Sequence, residues 1–250
     1  TATNLGLDAG ARVALASRLD DLSGAGVARR AAIVDDYARR IAAIDPATLD
    51  PRDRILHDSV AYALDLGRAG KAFGYGRNGF GDAMNESAGP YVVDQSGSAY
   101  ANLPELLDSK QRVTKAEEAE AYLTRLSGFA GQLDQENERV RADAAAGVTP
   151  PDFIVSNILE QLSDARALPA TEQRVVASLA KKIVTAGITG DWAGRAEKIV
   201  TARIYPALDR QIATLRALRP THDAGVWRLP QGDAYYAWLL RVGPPTALDA

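Results

Sequence analysis

The side chains that most often hold metals or transfer protons near neutral pH are scarce in this sequence. Of its 250 residues, two are histidines, His57 and His222, and none is cysteine. Without cysteine, these residues cannot form disulfides, thiolate nucleophiles, iron–sulfur clusters or cysteine-ligated zinc sites. We therefore assign no catalytic residue and no metal ligand to residues 1–250.

One pair of side chains has the spacing of metal ligands. Asp53 and His57 are four residues apart on a predicted helix, so their side chains share one face. The pair supplies two ligands, and no third ligand is evident in the sequence. We interpret His57 as a solvated or hydrogen-bonded helix residue and His222 as a loop residue.

A glycine motif also needs an interpretation. Residues 74–79 match G-x-G-x-x-G, which binds dinucleotides when a buried strand precedes it and a helix begins within it. Here an alanine-rich helical segment precedes the motif, and Phe80 and Gly81 follow it. We therefore interpret the motif as part of a glycine-rich packed loop.

The charge balance excludes some classes of binding partner. Lysine and arginine total 29 against 32 acidic residues, a net charge of -3, and the basic residues are dispersed. Nucleic-acid binders need a basic patch, so we expect no nucleic-acid partner. No apolar run approaches the roughly 20 residues that a membrane-spanning helix needs.

Apolar residues recur at helical spacing along most of the chain. Asp50 and Pro51 are an N-cap and a first helical residue, and Pro206 should kink a helix over 191–218. The clearest stripe lies within 114–146, at Ala119, Tyr122, Leu123, Leu126, Phe129 and Leu133. The pattern predicts a mainly α fold, an antiparallel bundle-like array of helices.

One stretch departs from this pattern. Residues 67–113 contain eight glycines and five of the thirteen phenylalanines and tyrosines. Long connections inside compact domains are usually functional or disordered, and the aromatic residues favour order. We therefore predict a long ordered loop over 67–113.

Several segments together resemble a known family. In order along the chain they are residues 3–8, 73–76, 90–95, 104–108, 119–123, 147–154, 205–211 and 225–236. They resemble the N-terminal half of the bacterial "domain of unknown function 885" family. The resemblance spans nearly the whole chain, which makes it more specific than any single motif.

The resemblance implies a longer, exported helical protein similar to zincin-type metallopeptidases. The family's zinc motif, His-Glu-x-x-x-Gly-His-His, lies downstream of the matched region, and nothing here corresponds to it. Residues 1–250 are then expected to be a single helical region, the N-terminal part of a larger domain. Zinc would bind in the missing C-terminal half, this chain would be inactive alone, and the protein would be periplasmic or secreted.

Two functions remain open. In the first, the chain is the scaffold and one cleft wall of a zinc-dependent, peptidase-like hydrolase, with a peptide-like substrate. The candidates for the cleft wall are Tyr91, Gln95, Tyr235 and Tyr236, although core packing is the more common role for each tyrosine taken singly. In the second, the chain is a non-catalytic helical module that binds a peptide or protein partner. Either way, a half-domain should expose an apolar face, so self-association is expected.

Overall fold

The computed structural model describes residues 2–8, 10–84 and 88–243. These residues form ten α-helices, two π-helical segments and several 3-10 turns, with isolated β-bridges but no strand, so the predicted mainly α fold is confirmed. The α-helices are α1 (Gly24–Ala42), α2 (Pro51–Lys71), α3 (Phe80–Met84), α4 (Ala99–Glu105), α5 (Ala116–Ala145), α6 (Asp152–Ala167), α7 (Arg174–Ala186), α8 (Trp192–Ile199), α9 (Tyr205–Arg216) and α10 (Gly232–Val242).

The prediction of one long loop over 67–113 was wrong in its extent. Helix α2 continues through its glycines to Lys71, and α3, α4 and the π-helical segment Leu106–Lys110 follow within the range. The glycines permit close packing rather than ending the helix. A Cβ on Gly70 would lie 2.2 Å from the Trp238 ring, and one on Gly67 would lie 2.7 Å from the Phe80 backbone.

The sequence predicted a kink at Pro206, and the structure has a π-helical interruption just before this residue. Between α8 and α9, residues Val200–Ile204 are π-helical, and the Tyr205 N–H donates to the Val200 carbonyl, five residues back. Proline has no N–H and cannot make the i to i−4 bond. A wider turn before Pro206 accommodates that loss.

The described residues form two compact units that are built from interleaved segments. Unit 1 takes its residues from 1–23, 93–138 and 152–219, and unit 2 takes its residues from 24–92, 139–151 and 220–250. That the whole range is one region of a larger helical domain stays a prediction.

The core of unit 1 is centred on α5. Its predicted apolar stripe is buried, with Tyr122, Leu126 and Leu133 fully covered. The Tyr122 hydroxyl donates to the Val175 carbonyl at 2.7 Å. The helical period therefore predicted this core correctly.

A buried arginine ties the N-terminal segment of unit 1 to α5. Arg125 donates hydrogen bonds to the Arg18 and Leu15 carbonyls, the Gln111 side chain and the Thr3 hydroxyl, at 2.6–2.9 Å. Burial lowers the pKa of Arg125. Since a buried cation needs its donors satisfied, this network holds Thr3, Leu15 and Arg18 against α5.

In unit 2, α1 and α2 form a helical pair. The predicted N-cap of α2 is confirmed, because the Asp50 carboxylate accepts the N–H groups of Arg52 and Asp53 at 2.9 Å. The Arg68 Nε lies 3.0 Å from the Asp35 carboxylate, which joins the two helices on the surface.

Candidate functional site

Parts of four segments that carry the family resemblance meet in unit 2. Arg228 donates to the Tyr91 hydroxyl at 2.9 Å and to the Thr149 carbonyl at 2.7 Å. The Tyr75 hydroxyl donates to the Pro230 carbonyl at 2.9 Å. The set of residues that we call the unit 2 cluster consists of Phe73, Tyr75, Asn78, Tyr91, Arg228, Tyr235 and Trp238.

Aromatic rings form the base of the unit 2 cluster. The Phe73 and Tyr235 ring centroids are 5.0 Å apart in an edge-to-face arrangement, and the Tyr75 and Tyr235 centroids are 5.6 Å apart. The Trp238 indole N–H donates to the Leu66 carbonyl at 3.0 Å. Rings at such distances attract each other, and this bond anchors α10 on α2.

Asn78 connects the rings through hydrogen bonds. Its Nδ2 donates to the Tyr75 carbonyl at 2.7 Å, and its Oδ1 accepts from the Tyr235 hydroxyl at 2.8 Å. Because both ends of the buried amide are satisfied, its orientation is fixed. The side chain therefore holds the loop after α2 against α10.

The glycine motif is held by two side chains of α5. The Gly76 N–H donates to the Asp143 carboxylate at 2.9 Å, and Arg139 donates to the Gly76 carbonyl. Gly76 has φ +66°, and a Cβ there would lie 2.5 Å from the Gly89 carbonyl oxygen. Both the backbone angle and the close approach require glycine.

The tyrosine hydroxyls of this cluster are protonated at neutral pH. Burial raises the pKa of Tyr75 to about 12 and raises the pKa of Tyr91 and of Tyr235. Burial also raises the pKa of the Asp143 carboxyl. The hydroxyls therefore stay protonated, and we assign them a positioning role rather than a proton-accepting one.

The predicted cleft residues have different surroundings. Tyr91 and Tyr235 are buried in unit 2, in agreement with the core-packing alternative, whereas Tyr236 on α10 is 53% exposed. Gln95 is half-buried and lies in unit 1. That these residues line a cleft stays a prediction.

Sequence reasoning did not single out several residues of this region. Arg228 and the exposed Trp227 lie inside the segment 225–236 that carries the resemblance, so that segment contained a usable signal. Asn78 lies inside the glycine motif. Asp143, in contrast, has no local signal, because its partner Gly76 is 67 residues away in sequence.

The interpretation of His57 as a hydrogen-bonded helix residue is confirmed, but its partners are Asp58 and Ile41 rather than Asp53. Its Nδ1 lies 2.9 Å from the Asp58 carboxylate, and its Nε2 lies 3.2 Å from the Ile41 carbonyl. Hydrogen bonding to Asp58 raises the pKa of His57. Since both ring nitrogens are engaged and the described residues contain no group of three or more possible ligands, these residues do not fit a zinc site.

No helix within residues 2–8, 10–84 and 88–243 is both long and apolar enough to cross a bilayer.

The sequence profile of the family "Bacterial protein of unknown function (DUF885)" matches residues 1–250. The chain belongs to this family. No curated protein matches it significantly.

A crystal structure of a "putative lipoprotein" from Colwellia psychrerythraea has a similar fold, with a TM-score of 0.82 and 19% sequence identity. The match covers 91% of this chain and 39% of that protein, so the chain spans about two fifths of its structural neighbour. At this identity, the likeness shows the fold alone.

Proposed function

We propose that the chain is the scaffold part of a larger hydrolase that cleaves peptide-like substrates. The observation that carries this proposal is the match to two fifths of a longer protein over nearly the whole chain. The resemblance to zincin-type metallopeptidases supplies the reaction class. Zinc and the catalytic groups would then come from residues outside 1–250.

Unit 2 would contribute one wall of the substrate cleft. The buried network of Tyr75, Asn78 and Tyr235 makes the loop after α2 and the start of α10 rigid. Two large aromatic side chains of unit 2, Trp227 and Tyr236, are exposed. Exposed aromatic rings on a rigid support are suited to binding an extended peptide, because they bury large apolar area with little loss of side-chain entropy.

The proposal includes a location outside the cytoplasm. It is supported by the family resemblance and by the description of the structural neighbour as a lipoprotein. A periplasmic or secreted enzyme would meet peptides released from proteins or from the cell envelope.

The second candidate is a peptide- or protein-binding module without catalysis. The same exposed pair, Trp227 and Tyr236, favours this function, since a binding surface needs no metal. The two candidates differ in whether bound peptide is cleaved.

The test is peptide hydrolysis by the full-length protein, with a mixed peptide library read by mass spectrometry. We expect cleavage that a chelator abolishes and that added zinc restores. Tyr236→Ala should raise KM several-fold with little change in kcat, whereas Val184→Ala on α7, at an 81% exposed residue, should change neither.

Cleavage that is insensitive to chelator would contradict the zinc-dependent reaction. Binding of peptides without cleavage would favour the second candidate, and unchanged kinetics in Tyr236→Ala would remove this residue from the cleft wall.

A further inference from the structure

The α1–α2 pair of unit 2 has an apolar surface that the described residues leave open. Across residues 24–60, all of which the structure describes, Gly26 is the one buried residue. The buried residues of α2 begin at Leu64. Large apolar side chains stay exposed on both helices, at Ile33, Tyr37, Ile55, Leu56 and Val60.

Four of these side chains lie on the same side of the pair. The contacts of His57 with Ile41 and of Arg68 with Asp35 show that the helices run antiparallel. The half-buried seam residues are Val34, Ala38 and Ile41 on α1 and His57 and Ala61 on α2.

Ile33 and Tyr37 each precede a seam residue of α1 by one position, and Leu56 and Val60 do the same on α2. Equal offsets from the seam of an antiparallel pair point to the same side. We call Ile33, Tyr37, Leu56 and Val60 the apolar face.

Two helices that bury so little of their surface need a further element to pack against. Most of the stability of a helix in a protein comes from burying its apolar stripe rather than from helix propensity. α1 has 19 residues and α2 has 21, and their apolar face is uncovered. A third helix packed into the groove between them would supply the missing burial, as in helical bundles.

We propose that the apolar face binds an amphipathic helix from the part of the longer polypeptide outside residues 1–250. The fold of this chain accounts for 39% of its longer structural neighbour, so a larger part of such a protein is available to cover the face. The inference shares with the proposed function the premise of a longer protein, but it does not depend on hydrolysis.

The charge beside the apolar face defines the partner helix further. Arg40 occupies the same stripe of α1 as Ile33 and Tyr37, and its guanidinium lies 4.9 Å from the centre of the Tyr37 ring. A helix with an apolar stripe and an acidic residue at its edge complements this part of the surface.

The test is cysteine accessibility in the full-length protein. Single variants Ile33→Cys and Leu56→Cys on the apolar face are compared with Val184→Cys on α7. Val184 is 81% exposed, against 57% for Ile33 and 55% for Leu56. Maleimide modification is followed at the level of the peptide by mass spectrometry, so that other cysteines of the longer protein do not interfere.

We expect Ile33→Cys and Leu56→Cys to react at least about tenfold more slowly than Val184→Cys, at every protein concentration. Reaction of both at the rate of Val184→Cys would overturn the proposal. Protection that disappears on dilution would also overturn it, since it would assign the face to a second copy. Because the readout is labelling, its failure is distinguishable from a failure of hydrolysis.

Discussion

Residues 116–138 of α5, which lie in unit 1, and the α1–α2 pair in unit 2 have the same kind of amphipathic sequence and opposite surroundings. The apolar positions of α5 at Tyr122, Leu126 and Leu133 are fully buried. At the same spacing in α1, Ile33 is 57% exposed and Tyr37 is 50% exposed. The helical period predicts the helices in both regions, but the burial of each stripe depends on elements that are distant in sequence.

The largest expected difference between the two regions is in stability. In residues 1–250, Leu126→Ala should reduce the free energy of unfolding by about 2–5 kcal/mol, because it leaves a cavity in a fully packed core. Ile33→Ala should change it by less than about 1 kcal/mol, because that side chain is mostly in water. Urea unfolding at low protein concentration measures both variants.

An equal loss of unfolding free energy in Leu126→Ala and Ile33→Ala would contradict the proposed difference between α5 and α1. It would mean that the stripe of α1 is already covered within residues 1–250, or by a second copy under the conditions used.

A smaller difference is expected in the pH dependence of stability. Burial raises the pKa of Asp143 in unit 2, whereas the Ser178 hydroxyl and the Arg174 guanidinium beside Asp108 lower its pKa in unit 1. A raised carboxyl pKa stabilises the fold at low pH, and this contribution is lost as the pH rises through the folded-state value. A lowered pKa does the reverse, since its contribution is present above the unfolded value of about 3.9 and is lost on acidification.

Asparagine variants at Asp143 and Asp108 test these two opposite pH dependences of stability. As the pH rises from about 4 to about 7, Asp143→Asn should become more stable relative to the natural protein. As the pH rises from about 2 to about 5, Asp108→Asn should become less stable relative to it. Asp143→Ala is the control, because it also removes the acceptor of the Gly76 N–H, which is worth about 1 kcal/mol. The same sign for both asparagine variants, in unfolding measured from about pH 2 to about pH 7, would contradict the assignment.

Local features of the fold could be predicted from the sequence. The Asp50 cap and the interruption before Pro206 depend on residues within one or two turns, so their chemistry is visible in the sequence itself. The stripe of α5 is equally local, because a 3.6-residue period needs no knowledge of the partner.

Other features of the fold and of the candidate site depended on contacts between residues that are distant in sequence. Gly67 and Gly70 resembled helix-ending glycines, but they make room for Phe80 and Trp238. The Arg228–Tyr91 hydrogen bond joins residues that are 137 positions apart. The candidate site could therefore be located by its sequence segments, while its hydrogen bonds could not.

Hydrogen exchange of the full-length protein measures whether the rest of a longer protein covers the α1–α2 pair. We expect the amides of α1 and α2 to exchange within about tenfold of the rates of segment 122–133 of α5, because a covered helix pair exchanges only when the helices packed on it also open. Exchange of α1 and α2 more than about a hundredfold faster than that of α5 would show an uncovered pair and would contradict the claim.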